Sequence, residues 1–388
     1  MTLLERIPVS SPASVAIFRK ILTHGPIARI DVAKATGLSA AAVTKAVSPL
    51  ILAGYVQDAK PASEAERSDL SRGRPTSPLV ISADRTHVVG VKITKDEIFG
   101  VLTNLRAEIL SRTSEVTTSS SIDDVENAIE RVLTTLLRDS PTGSVSGLGV
   151  SVSGDVDVRS GRVRDSPLMS WRDVDLASRL EARLRLPVIV ENDVRALTMA
   201  EQMFGLGVNS SSFAVVTIGA GVGCGIFVND RVIEGAHGVS GEIGHLPLAP
   251  GNLVCSCGRR GCVETVASSH AILSRIRTDL DDQSITMARA VELAHDGVGP
   301  AVAAFAEAGE VIGAALAALV NLIGPELVII AGEGVAEYDL LADHIRATFS
   351  EHAFGSALDC ELMLLSHTFD DWARGAAVAV IGRIAEGI

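Results

Sequence analysis

The first regular pattern of apolar positions is helical. In "SVAIFRKILTHG", Val15, Phe18, Ile21 and Leu22 recur at helical spacing, and Gly25-Pro26 stops the run. The next stretch, "ARIDVAKATGLSAAAVTKAVSPLILAGYV", predicts a helix, a turn at Gly37-Leu38, a cap at Ser39 and a second helix ending near Gly54. Pro49 lacks a backbone donor, so a kink or an early end is expected there. Residues 14–56 thus read as three short helices in helix-turn-helix order, and 57–82 as an extended wing.

From residue 85 the pattern changes to apolar strands alternating with helical stretches, an α/β arrangement. "VVGVKITKDEIFGVLTN" (88–104) and "FAVVTIGAGVGCGIFVND" (213–230) both read as strand, tight turn, strand. This duplication predicts two related lobes with a cleft between them. Their turns differ. Gly219, Gly221, Gly223 and Gly225 in the second leave backbone N–H groups open to a phosphate or to plain steric use in a hairpin, whereas the first carries Thr94, Lys95, Asp96 and Glu97. The most apolar region, "VIGAALAALVNLIGPELVII", is interrupted by Asn321 and Gly324-Pro325-Glu326, which predicts a buried helix, a turn and a buried strand rather than a membrane span.

A chain of 388 residues exceeds what one core organises, and a 47% hydrophobic, 21% charged composition belongs to a globular protein. The first ten residues lack the basic start and apolar core of a signal peptide, so a cytoplasmic protein with no membrane partner is expected. The net charge of −13 argues against a nucleic-acid surface everywhere, but residues 1–80 hold ten Lys and Arg against six Asp and Glu. A head at +4 therefore sits on a remainder at −17. Two domains are expected, 1–82 as the head with its wing and 83–388 as an effector body.

If the head binds DNA, the first turns of its second helix face the major groove, which nominates Ser39, Ala41, Ala42, Thr44 and Lys45. Small side chains there permit close approach. In the wing, Arg72 and Arg74 of "RGRP" suit a minor groove or phosphates. Three-helix units also dock proteins, and a scaffold role is the competing reading.

Three of the five cysteines cluster in "GEIGHLPLAPGNLVCSCGRRGCVE", residues 241–264. An odd count so clustered suits a metal better than a disulfide framework. Cys224 and Cys360 stand apart and read as small buried hydrophobes. "GAGVGCGIFVNDRVIEGAHGVSGEIGHLPL" followed by "CSCGRRGCVE", with "ENDVRAL" upstream and "LVIIAGEGV" downstream, closely resembles the ROK family (repressor, open reading frame, kinase) over about residues 85–388, and the head matches its repressor branch.

That resemblance implies a two-lobed, actin-like (ribonuclease H-like) fold of the sugar kinase type, preceded by a winged helix-turn-helix domain, in a homodimer or homotetramer. It implies a zinc held by His245, Cys255, Cys257 and Cys262. Three thiolates and an imidazole form a closed tetrahedral set, so such a metal organises structure and does not activate water. The resemblance further places a sugar against Gly154, Asn192, Asp193, Glu242, His245 and Glu264. Ser153 stands where the family commonly has proline.

The kinase branch of the family carries a "DxGGTK"-like turn in its first hairpin, where an Asp and two glycines approach ATP phosphates and magnesium. Here the matching positions are Lys92, Thr94, Lys95, Asp96 and Glu97. A carboxylate about 4 Å from a phosphate charge costs roughly 4 kcal/mol at an effective dielectric of 20, so productive ATP binding is not expected. Asp193, a kinase's general base, then serves only to hold a hydroxyl, and no catalytic residue is assigned. The sequence reading is a sugar-responsive, DNA-binding repressor of carbohydrate genes, with operator DNA and a small sugar as partners. The alternative is an ATP-dependent sugar kinase, hexokinase- or glucokinase-like, with a fused DNA-binding head.

Overall fold

A computed structural model describes residues 7–59, 77–140 and 145–387. The chain forms two compact units, one spanning Met1–Val152, Val156–Glu191 and Trp372–Ile388, the other Ser153–Asp155 and Asn192–Asp371.

The first unit begins with α1 (Pro12–His24), α2 (Arg29–Thr36) and α3 (Ala40–Leu52). Ile17, Phe18, Ile21, Leu22, Val32, Val43, Val47 and Leu50 form their common core. Gly37 ends α2 at φ 68°, a left-handed conformation that suits glycine. Ser39 then starts α3, its hydroxyl accepting the Ala42 amide at 3.2 Å. The two helices are bent 112° apart, within the range of DNA-reading helix pairs. The early end expected at Pro49 does not occur: α3 runs on to Leu52, because the missing donor falls in the last turn. Strands β1 (Val56–Asp58) and β2 (Leu79–Ile81) pair antiparallel as the base of a wing, and Arg29 on α2 bridges to Asp58 at 2.7 Å. Arg72 and Arg74 lie outside the described residues.

The rest of this unit is built on β3 (His87–Ile93), β4 (Glu97–Asn104), β5 (Ile109–Val116), β6 (Leu148–Val152) and β10 (Val188–Asn192), ordered β10-β6-β3-β4-β5. Between β6 and β10 come a small sheet of β7 (Asp155–Asp157), β8 (Arg162–Ser166) and β9 (Trp171–Val174), and helix α5 (Leu176–Leu184). Helix α4 (Ile122–Asp139) packs on β4 and β5. Every residue of β3 is buried, as its Val/Ile-rich run predicts.

The second unit contains α6 (Asp193–Phe204), β11 (Ser212–Ile218), β12 (Val222–Val228), β13 (Arg231–Val232) and the short helices α7 (Glu264–Ala267), α8 (Ser269–Asp279) and α9 (Met287–His295). The long α10 (Gly299–Ile323), β14 (Leu327–Ala331), α11 (Tyr338–His352) and β15 (Glu361–Leu364) complete it. Its sheet runs β15-β14-β11-β12-β13. Strand for strand this repeats the first: an antiparallel hairpin (β3–β4 or β11–β12), then a parallel neighbour beside its first strand (β6 or β14). The duplication legible in the two hairpin sequences is therefore a duplication of whole sheets. Helix α10 is long and apolar enough to cross a membrane, but 61% of its apolar window is buried, and it packs lengthwise on α11.

The final helix, α12 (Phe369–Ala385), carries the chain from the second unit back into the first at Trp372. Gly90 and Gly149, partners across β3 and β6, make its seat: a Cβ on either would lie about 2 Å from the carbonyl of Ala373 or Ala376. Only glycine lets the helix backbone rest directly on these strands.

Candidate functional site

The nominated sugar residues all belong to the second unit. Asn192 caps α6, its Oδ1 accepting the Arg195 amide at 3.1 Å. Its Nδ2 donates to the Gly154 carbonyl at 3.0 Å. One side chain thus ties the 153–155 segment to the start of a helix, beside buried Asp193, whose Oδ1 accepts the Val194 amide at 2.9 Å. Two turns of the same helix pack on β12 through Gly223 and Gly225, where a Cβ would meet Val194 and Thr198. These two glycines therefore serve helix packing rather than an open phosphate cradle.

The segment leading to Glu242 is fixed at Gly241, whose φ is 85° and whose Cβ would lie 2.0 Å from the Cys224 carbonyl. Arg195, buried on α6, donates to the Gly238 carbonyl at 2.7 Å and holds the same segment to the helix that carries Asp193. His245 then presents two faces. Its Nε2 lies 3.9 Å from Glu242 Oε2, and its Nδ1 lies 3.7 Å from Cys255 Sγ and 3.9 Å from Glu264 Oε2. Burial raises the pKa of Glu242; His245 counters this, while Glu264, Asp155 and Asp193 add to the rise. Four carboxylates are therefore close enough to influence one another, an acceptor-rich cluster suited to the donor hydroxyls of a ligand. Asp155 joins this set from a strand with no residue-type signal, and the sequence reading missed it.

Ligand atoms of His245, Cys255, Cys257 and Cys262 all lie within 4.8 Å of one another. A tight knuckle assembles them: the Cys255 amide donates to the Arg259 carbonyl at 2.8 Å and the Gly258 amide to the Cys255 carbonyl at 2.9 Å. Cys257 and Cys262 sulfurs are 3.7 Å apart. Tetrahedral zinc with bonds of about 2.3 Å separates two sulfurs by about 3.8 Å, so the set fits such an ion. Burial, then the neighbouring thiols, push Cys262 up to about 12. Three thiolates this close need a cation to ionise together.

Glu264 links this knuckle to the second hairpin. Its Oε1 accepts the Val222 amide at 3.0 Å, and a Cβ on Gly221 would lie 2.7 Å from the same oxygen. On the other side of the turn, a Cβ on Gly219 would lie 2.0 Å from Glu333 Oε2. The turn that could have cradled a phosphate is flanked by two carboxylates.

The first hairpin turn is closed on itself. The Thr94 amide donates to the Glu97 carbonyl at 3.0 Å, and the Glu97 amide to Thr94 Oγ1 at 3.1 Å. Lys92 is buried with its ammonium 5.1 Å from the centre of the Trp372 ring, a cation–π contact at the start of α12. In the head, Ser39, Ala41, Thr44 and Lys45 are exposed on α3, whereas Ala42 is half-buried. Cys224 is buried, and burial pushes its thiol up to about 12. Cys360 departs from expectation in being only half-buried, at the end of a short helical turn.

Two α/β lobes of duplicated topology, a helix-turn-helix head and a His-Cys knuckle beside converging carboxylates define a sugar-kinase-like effector protein with an N-terminal helical domain. The chain belongs to the ROK family, whose profile matches residues 88–382. It is 28% identical to the xylose repressor of Bacillus subtilis (strain 168), over 87% of this chain and 86% of that one. It is also 28% identical to the DNA-binding transcriptional dual regulator NagC of Escherichia coli (strain K12), over 95% and 92%. Among solved structures, it resembles a ROK family transcriptional regulator, homolog of the E. coli MLC protein, at 26% identity and a TM-score of 0.80, covering 96% of both chains. A ROK family glucokinase from Streptomyces griseus in complex with glucose and AMPPNP is 27% identical with a TM-score of 0.66, covering 75% of this chain and 98% of that one.

Proposed function

We propose that this chain is a sugar-responsive transcriptional repressor of the cytoplasm, in which a kinase-derived body binds a sugar and the head binds an operator. The observation that carries this reading is the head itself: α2 and α3 cross at 112° with Ser39, Ala41, Thr44 and Lys45 exposed on the reading helix. Family regulators match nearly the whole chain, head included, whereas the glucokinase leaves a quarter of it uncovered.

The sugar sits against Gly154, Asn192, Asp193, Glu242, His245 and Glu264. Carboxylates accept from its hydroxyls, and a sugar with a hydroxyl missing or misplaced leaves a buried group unpaired, which is the source of selectivity. Zinc is held by His245, Cys255, Cys257 and Cys262. When bound, it supplies cross-linking of the loop and no open coordination site. The protein's own residues do the recognition: Glu242 and the Nε2 face of His245 present to the ligand, and Glu264 joins the knuckle to Val222.

The kinase reading is disfavoured by the self-bonded Thr94–Glu97 turn and by the carboxylates of Glu264 and Glu333 at the second turn. Phosphoryl transfer depends on positioning a polyanion, and acids at both turns oppose it. DNA contacts are assigned to Ser39, Ala41, Ala42, Thr44, Lys45, Arg72 and Arg74. A homodimer or homotetramer would present two heads to half-sites about 34–36 Å apart.

The test is selection of a duplex from a randomised pool by the full chain, followed by binding with xylose, glucose and N-acetylglucosamine, each free and phosphorylated. One of these shifts the duplex affinity if the reading is right. Absence of any selected duplex would refute it.

A further inference from the structure

Two arginines of the effector body grip the carboxyl ends of two head helices. Arg106 Nη1 donates to the carbonyls of Leu22 and Gly25, both at 3.2 Å, at the end of α1. Arg85 Nε donates to the carbonyl of Ala53 at 3.2 Å, at the end of the reading helix α3, and its guanidinium lies 5.2 Å from the centre of the Tyr55 ring. Carbonyls at a helix carboxyl end lack intrahelical partners and carry the negative end of the helix dipole, so a guanidinium is a suitable cap.

Both arginines spring from one hydrogen-bonded knot. Arg85 ends the short turn Ala83–Arg85, and Arg106 sits in the turn joining β4 to β5. The Leu105 amide donates to the Ala83 carbonyl at 3.0 Å, and Asn104 Nδ2 donates to Asp84 Oδ1 at 3.2 Å. Asn104, buried, also accepts the amides of Arg106 and Glu108 through Oδ1, at 3.0 and 3.2 Å. Ala107 is held at φ 55°, a conformation a residue with a Cβ adopts only when its surroundings impose it. Its carbonyl receives Arg374 Nε of α12 at 2.9 Å. The same turn thus touches the head on one side and, on the other, the helix that re-enters this unit from the sugar-binding one.

We propose that Arg85 and Arg106 are positioning residues for DNA recognition, a two-point clamp that fixes the reading helix on the body and sets operator affinity without touching DNA. The proposal rests on the repressor reading. Arg85 meets α3 at Ala53, about 20 Å along the helix from the amino end that faces DNA. A phosphate-contacting arginine and a clamp arginine therefore predict different salt behaviour. Removing a phosphate-binding arginine lowers the salt slope by about one, whereas removing a clamp weakens binding at unchanged slope.

The experiment uses the full-length chain and the duplex it selects. Arg106→Ala and Arg85→Ala are each expected to weaken binding on the order of tenfold, with the slope of log affinity against log salt unchanged. Arg106→Lys and Arg85→Lys, which keep a charged donor and guard against misfolding, are expected to recover part of the loss. Affinity unchanged in the double alanine variant overturns the clamp, and so does a loss accompanied by a slope lower by about one per arginine. If the wild-type chain selects no duplex, the repressor reading fails separately. The clamp is then decided by ¹⁵N relaxation: head and body amides share one correlation time in the wild type and separate in the double variant, and persistent common tumbling overturns it.

Discussion

The carboxylate of Glu264 accepts the amide of Val222 at 3.0 Å, so the metal-ligand loop is bonded directly to the turn of the second hairpin. One oxygen is committed to the backbone, and the other faces His245 at 3.9 Å. On the proposed function this residue serves the fold and the sugar site at once, and the two roles are separable by substitution.

Glu264→Gln keeps an acceptor for Val222 and removes the charge. It is expected to retain full metal content and a melting temperature near that of the wild type while weakening sugar binding at least tenfold, as read by isothermal titration. Glu264→Ala also leaves the Val222 amide unpaired, which adds about 1–3 kcal/mol of destabilisation in urea unfolding.

Asn192 allows a similar separation. Asn192→Asp preserves the cap on α6 but replaces the donor to Gly154 with a second acceptor. Sugar affinity is expected to fall, and stability by about 1–3 kcal/mol, because the new carboxylate oxygen faces the Gly154 carbonyl with no donor between them. Asn192→Ala removes the cap too, at a further cost of about 1 kcal/mol, measured by chemical denaturation.

Stripping the metal with a chelator, or introducing Cys257→Ser, is expected to melt the 241–264 loop. Structural zinc sites contribute on the order of 10 kcal/mol to folding of their local unit, so the melting temperature falls and sugar no longer raises it. Elemental analysis is expected to return one zinc per chain in the wild type and a reduced content in Cys257→Ser.

On the reading helix, Lys45→Ala is expected to weaken all duplexes alike and lower the salt slope by about one. Ala41→Glu places a carboxylate against the groove and is expected to abolish binding while leaving sugar binding intact. Fluorescence anisotropy at several salt concentrations measures both.

Stability also carries a pH signature at His87. The residue is buried, and burial lowers its pKa from 6.5, with Asp84 opposing. The folded state therefore favours the neutral ring. That contribution is fully present above pH 6.5, and it is lost as pH falls below the unfolded value, because protonation then favours the unfolded chain. Urea unfolding between about pH 7.5 and 5.5 is expected to show a slope that flattens in His87→Gln, by at most about 1.4 kcal/mol per pH unit.

Much of this architecture was legible in the sequence because its signals are local. Val/Ile-rich runs separated by short turns announce hairpins, Gly37 followed by capping Ser39 announces a helix-turn-helix, and the spacing of Cys255, Cys257 and Cys262 after His245 announces a metal knuckle. What stayed hidden depends on groups far apart in sequence meeting backbone atoms. Arg106 bonds carbonyls more than eighty residues away, and nothing about an arginine in a β-turn advertises a helix end as its partner. Glu333 reads as a loop acid until its carboxylate is found against Gly219. Pro49 suggested an early end for a simpler reason: proline lacks its own backbone donor and leaves the carbonyl one turn back without its helical bond, but this close to the end of α3 the loss does not stop the helix.

The most direct test of the central claim is duplex binding by the zinc-loaded chain, titrated with sugars in the presence and absence of ATP and magnesium. The account predicts that one sugar or sugar phosphate shifts the dissociation constant some ~5- to 150-fold, identically with and without ATP, and that the sugar is recovered unchanged. Conversion of that sugar to its phosphate at the expense of ATP, with duplex affinity indifferent to it, would contradict the account.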